Sequence, residues 1–241
     1  MKIRFKYITY AIVLLVYINT NAIFAQTSRS DPNDNQGWYG AKLKLDLPSG
    51  WGTSLDYQAR FINDFNRYNG SYTTVGATKK IIKHVELQAD FRLAVVEKGT
   101  YYRGSFGFEA SKEIGNFDFG LRMLVQNQLQ DFDDEYKDNQ REGYWRAKFE
   151  TSYAPTEGVD LYVSTEPIMK FGGVRPIDNW RNIVGVKIKV AKRTKLNLFY
   201  MYRPDFAKAT YNRLFQVVGL NLDYTLKIKK SNPSGHYLIS R

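Results

Sequence analysis

The chain has 241 residues, 35 Lys and Arg against 24 Asp and Glu, and a formal charge of +11; 43% of it is apolar, which excludes a disordered tail. It contains no Cys, so disulfide scaffolds, thiolate zinc sites and cysteine nucleophiles are excluded together. Only two imidazoles, His84 and His236, are present, too few for a histidine metal or acid–base cluster. The 18 Tyr, 15 Phe and 4 Trp beside only 7 Pro favour strands.

The N-terminus reads as a secretory signal peptide over residues 1–25. Lys2, Arg4 and Lys6 form a positive region, Tyr7 to Ile18 an apolar one, and Ala22-Ile23-Phe24-Ala25 a small-residue cleavage site before Gln26. The apolar run is short for a membrane anchor. Losing three bases and no acids lowers the charge to +8, and no nucleic-acid motif is present, so the basicity does not argue for a nucleic-acid partner. Residues 26–36 form a polar segment with nothing to present to lipid from Thr27 onward.

From Trp38 the chain alternates with period two. Leu43, Leu45 and Leu47 oppose Lys42, Lys44 and Asp46, and Leu55, Tyr57, Ala59 and Phe61 oppose Ser54, Asp56, Gln58 and Arg60. Val85, Leu87, Ala89, Phe91, Leu93 and Val95 then oppose Glu86, Gln88, Asp90 and Arg92. The pattern continues through Phe117–Val125, Trp145–Tyr153 and Val184–Val190 to Leu220–Leu226. Strands start near residues 38, 53, 72, 85, 101, 117, 144, 159, 180, 195 and 214, and no helix-period segment separates them. Short connections near 48–52, 82–84, 113–116, 154–158 and 191–194 face longer ones at 63–71, 131–143, 171–179 and 207–212. That asymmetry, with a charged inner row and a greasy outer one, predicts an all-β, antiparallel up-and-down transmembrane barrel over residues 37–228, followed by a C-terminal tail over 229–241.

Aromatic residues fall at both ends of the apolar rows, as interfacial girdles require. Tyr39, Phe61, Tyr102, Trp145, Trp180, Tyr200 and Tyr202 lie towards the longer loops, and Phe117, Tyr153 and Tyr224 towards the short turns. Eleven strands would leave the first and last running the same way, whereas bacterial single-chain barrels usually have an even count. The expectation is therefore about twelve strands, with ten as the alternative.

Several residues together resemble a known family: Gly37-Trp38-Tyr39 entering a strand, Gln58-x-Arg60-Phe61, Phe91-Arg92-Leu93, and Phe199-Tyr200-Met201-Tyr202-Arg203 before a loop. Over about residues 37–228 the chain is similar to the domain of unknown function 2490 family. The resemblance implies an exported barrel of the bacterial outer membrane and no particular chemistry.

The inward rows carry both signs. Arg60, Arg92, Arg103 and Arg203 with Glu109, Glu150 and Glu166 are the candidate lumen charge network, a paired set that would close a narrow bore. If water penetrates, the small basic excess makes the bore a weakly anion-selective pore for small solutes. No catalytic residue, cofactor or metal is expected: His84 lies in a short turn and His236 in the tail, away from a lipid-facing rim. A glycan-cleaving pair, Glu109 with Glu150, is the remaining enzymatic option. The acidic run from Asp131 to Glu142 matches positions one, three and twelve of a calcium loop, but Tyr136 stands where the turn glycine is needed. The reading is a non-enzymatic outer-membrane barrel with a structural or binding role. Its partners are outer-membrane lipid and lipopolysaccharide, with a small solute or glycan as the ligand class.

Overall fold

The computed structural model describes residues 33–97, 99–131, 140–172, 176–206, 213–230 and 237–239. The expected signal peptide, most of the polar segment, most of the acidic loop and His236 lie outside them. Eleven strands run in sequence: β1 (Asn33–Asp46), β2 (Trp51–Ile62), β3 (Arg67–Ile82), β4 (Val85–Val96), β5 (Gly99–Ile114), β6 (Phe117–Asp131), β7 (Gln140–Thr156), β8 (Val159–Lys170), β9 (Ile177–Ala191), β10 (Thr194–Asp205) and β11 (Arg213–Lys230). Each pairs antiparallel with its neighbours. A three-residue strand, β12 (Tyr237–Ile239), adds antiparallel to the end of β11.

The barrel closes through β1 and β11, which pair in parallel from Asn33 opposite Leu214 to Asp46 opposite Lys227. Eleven strands, not twelve or ten, therefore form the wall. The parity objection assumed an antiparallel seam; an odd meander closes equally well on a parallel ladder, whose bonds are evenly spaced and slanted. The same ladder accounts for part of the polar segment. β1 begins at Asn33, so Asn33 to Gln36 belong to the wall, where Gln36 and Trp38 face inward.

Alternation places the side chains as the sequence implies. Outward residues are apolar and exposed, among them Phe106 at 60%, Phe91 at 54% and Val184 at 54%. A jacket with so many exposed Leu, Val and Phe side chains needs lipid rather than water around it. The fold is a transmembrane β-barrel. Among the described residues no helix is long and apolar enough to cross a membrane, so the strands do the crossing. The girdles pair locally. Tyr39 packs on Phe61 (5.8 Å) and Trp145 on Phe171 (5.6 Å) near the longer loops, and Phe117 on Tyr153 (4.9 Å) near the short turns.

At the short-turn end the chain reverses tightly, with Gly115 and Gly158 at φ of 61° and 86° supplying the left-handed residue such turns favour. The connection from β2 to β3 is shorter than the sequence suggests, because residues 67–71 are strand and only Asn63 to Asn66 loop out. Asn63, Asp64 and Phe65 adopt positive φ there, and Asp64 is tied to β1 through Asp34 (3.2 Å) and Asn35 (2.7 Å).

Because the protein has no native Cys, the seam can be tested with one engineered pair. Ala41→Cys with Leu222→Cys, register partners on adjacent strands about 5 Å apart, is expected to form an intramolecular disulfide in the detergent-folded protein on mild oxidation. The two-residue slip Ala41→Cys with Leu220→Cys is expected to cross-link at least tenfold more slowly. Equal rates would reject the closed register.

Candidate functional site

One inward side chain from each strand meets at a common level in the half of the lumen nearer the longer loops. In circular order these are Trp38, Arg60, Tyr72, Arg92, Arg103, Arg122, Arg146, Glu166, Arg181, Arg203 and Phe215. Their contacts divide the ring into two arcs.

In the first arc Glu166 is the hub. It accepts two hydrogen bonds from Arg146 Nη2, both 2.9 Å, and one from Arg122 (3.0 Å), and Arg181 stands 3.7 Å away. Arg146 also donates to Gln126 Oε1 (3.2 Å). The side chains of Glu166 and Arg146 are only 6% and 7% exposed. A carboxylate so buried is tolerated because three guanidinium groups surround it.

The second arc has no carboxylate. The guanidinium of Arg60 is sandwiched between Trp38 and Tyr72, 3.7 Å from each ring centre, and its Nε donates to Gln58 (2.8 Å). The other face of the sequence of rings continues outward: Arg92 lies 5.9 Å from Tyr72, and Arg203 lies 6.0 Å from Trp38 and 4.3 Å from Phe215. Arg92 Nε donates to Thr74 (2.8 Å), and its cross-strand partner is Arg103. Among the described residues none of Arg60, Arg92, Arg103 and Arg203 forms an ion pair. The aromatic faces take the place of anions, an interaction that suits the flat, weakly hydrated guanidinium.

Side chains fill the lumen around this ring. Gln36, Ala94, Ser105, Leu124, Tyr144, Ile168, Met201 and Val217 are all buried, and all face inward in the same half of the barrel. Towards the short turns the lumen opens into a cavity of about 420 Å³, whose wall includes Glu109, Asp118, Lys148, Glu150, Lys187 and Asn221 and which reaches up to Trp38 and the Glu166 arc of the ring, Arg122, Arg146 and Arg181. There Glu150 is held by Lys148 and by Lys187 (3.0 Å). Side-chain exposure rises along the wall, from 7% at Arg146 to 24% at Lys148 and 45% at Lys44 near the turns. The lumen is thus a filled layer above a vestibule. Glycine makes room where aromatic side chains lie against the wall: a Cβ on Gly219 would stand 2.0 Å from the Phe199 ring.

The predicted network is therefore split and differently paired. Glu166 does anchor a charge network, but with Arg122, Arg146 and Arg181 from the neighbouring strands rather than with the four expected arginines. Glu150 belongs to a separate lysine cluster one level lower, and Glu109, opposite Arg122 in the register, makes no ion pair among the described residues. As a catalytic pair Glu109 and Glu150 are poorly suited, since the oxygens of Glu150 are already engaged by two ammonium groups. His84 is exposed in its turn, with its carbonyl accepting from the Ser111 amide (2.9 Å). No cluster of metal-ligating side chains occurs among the described residues. Trp38, Tyr72 and Phe215 were missed by the charge-based reading. The signal that could have found Trp38 is its parity, since Tyr39 on the lipid face places its neighbour in the lumen.

Comparison with known proteins returns no match among curated proteins. The solved NanC porin structure in rhombohedral crystal form is similar at 15% identity, over 70% of this chain and 86% of that one, with a TM-score of 0.49. A family model, protein of unknown function (DUF2490), matches residues 35–214, which carry β1 to β10, all but one member of the ring and most of the vestibule wall, and the chain belongs to that family.

Proposed function

We propose that this protein is a non-enzymatic barrel of the bacterial outer membrane, with the short turns in the periplasm and the longer loops outside. Its lumen is closed on the outer side by the ring of arginines and aromatic residues and opens towards the periplasm as a polar vestibule. The observation that carries this reading is the burial of Arg146 and Glu166, at 7% and 6%, in the middle of what would be a conducting path. Small solutes or glycan fragments entering from the periplasm would meet a wall of Lys, Glu, Asn and Tyr side chains suited to polar ligands. A structural or binding role at the envelope follows, with lipid and lipopolysaccharide as the surrounding partners.

A second reading draws on the composition of the same ring. Seven arginines face one carboxylate in it, so any water path through the layer would favour anions strongly. In this reading the ring is the selectivity constriction of a narrow pore rather than a plug.

Planar-bilayer recording separates the two. The intact protein is expected to show little or no steady conductance. Glu166→Ala, which strands three guanidinium groups at a cost of about 3–5 kcal/mol for a broken buried network, is expected to open anion-selective current and to lower the temperature at which the folded gel band is lost. Large steady current from the intact protein would reject the closed lumen in favour of the pore. As a check on the non-enzymatic assignment, no hydrolysis or acyl transfer on envelope phospholipid is expected. Turnover that His84→Ala abolishes would overturn that assignment.

A further inference from the structure

The ring is lopsided in charge. Glu166 gathers Arg122, Arg146 and Arg181 on one side, while Arg203, Arg60, Arg92 and Arg103 line the other with aromatic rings between them and no ion pair among the described residues. Stacking satisfies the faces of these guanidinium groups. It leaves the edges, where all five N–H donors of an arginine lie in one plane. The Nε atoms of Arg103 and Arg203 are buried without a hydrogen-bond partner, as are those of Arg122, Arg146 and Arg181 in the other arc, where the Glu166 carboxylate engages other guanidinium nitrogens. Arg92 and Arg103 are direct cross-strand neighbours, an arrangement of like charges that a sheet ordinarily avoids.

Nearby acids offset this arc only in part. Asp56 and Asp90 act on Arg92 through space, and among the described residues neither forms an ion pair with it. Asp205, which acts on Arg203 through space, is itself 3.5 Å from Arg213. A buried cluster of one sign costs several kcal/mol per uncompensated charge. The missing partner must therefore be negative, must reach a filled lumen, and must present several acceptors to donors arranged in forks.

We propose that Arg60, Arg92, Arg103 and Arg203 form a binding site for an oxyanion, a phosphate or a carboxylate group. Its oxygens take the free edge donors of Arg92 and Arg103, and Trp38, Tyr72 and Phe215 hold the guanidinium planes in position. Fork geometry separates this ligand class from halide, because paired N–H donors match two oxygens of one group and gain little from a spherical ion. The vestibule meets the ring at Trp38 and the Glu166 arc, and an anion entering by it passes Trp38 to reach the four stacked arginines, none of which lines the cavity itself; this route is the point at which the inference rests on the closed-lumen reading. An anion carried on a larger polar molecule would place its anionic end in the ring and its remainder among Tyr162, Asn197 and Asn221.

The test uses the full chain folded in uncharged detergent and titrated calorimetrically with inorganic phosphate, acetate and chloride at matched ionic strength. Saturable phosphate binding near one per barrel is expected, with weaker acetate binding and no chloride heat. Arg92→Gln combined with Arg103→Gln is expected to weaken phosphate binding at least tenfold, and Lys187→Gln in the vestibule to change it less than twofold. Retention of the unboiled, fast-migrating gel band establishes that each variant is folded. Should the double variant fail that criterion, Arg103→Lys, which keeps the charge and loses the fork, is expected to weaken phosphate binding at least threefold. No saturable phosphate binding, chloride binding equal to phosphate, or unchanged affinity in Arg103→Lys would each overturn the site. The closed-lumen reading fails separately: a non-conducting barrel that binds no phosphate rejects only the oxyanion site, whereas steady conductance by the intact protein rejects the closure beneath it.

Discussion

Within lipid no water is available to satisfy a backbone amide, so a sheet that crosses a bilayer can have no free edge. Everything else in this protein follows from how that condition is met. Eleven strands leave β1 and β11 running in the same direction, and the edges join as a fourteen-pair parallel ladder from Asn33 to Asp46. That seam recruits Gln36 and Trp38 into the wall, and Trp38 is the ring on which Arg60 and Arg203 converge. A barrel beginning after Trp38 would lack the surface that holds those cations.

Closure also determines the electrostatics. A narrow lumen brings side chains from strands far apart in sequence into direct contact, and the low local dielectric makes each unpaired charge expensive. The protein resolves this in two ways at the same level. Around Glu166 it uses ion pairs with two-fold hydrogen bonding from Arg146. Across the lumen it uses aromatic faces, with Arg60 held between Trp38 and Tyr72. The two solutions differ in consequence. Ion pairing offsets one of the three positive charges around Glu166 and engages their donors, whereas stacking offsets none and leaves the in-plane donors and the positive field in place for a ligand.

The filled layer and the vestibule have different physical characters. Above, Met201, Val217, Leu124 and Ile168 exclude water among the arginines. Below, Lys148, Glu150 and Lys187 form a looser cluster with about a quarter of each side chain exposed, where water screens the charges and pairs contribute less. Rigidity is therefore concentrated on the long-loop side, and the adaptable polar surface lies on the short-turn side.

Much of the fold was legible because period two is a local property. Val85 to Val95 shows which residues meet lipid without reference to any other strand, and the aromatic residues at strand ends mark the interfaces for the same reason. The lumen rows were legible by the same parity, so Arg60, Arg92, Arg103 and Arg203 could be placed inside. Their partners could not, because pairing depends on strand register, tilt and closure, none of which is local. Glu166 meets Arg122, 44 residues away, only because β6 and β8 flank β7. The strand count failed on the same ground: parity at the seam is decided by whether two distant edges join in parallel. The sequence by itself determined the barrel class and the two faces of each strand, since alternation and composition are written along one dimension. The tertiary structure alone decided the seam, the level at which eleven strands converge, and the split of the ring into an ion-paired arc and a stacked, anion-poor one, since these depend on distances across the lumen.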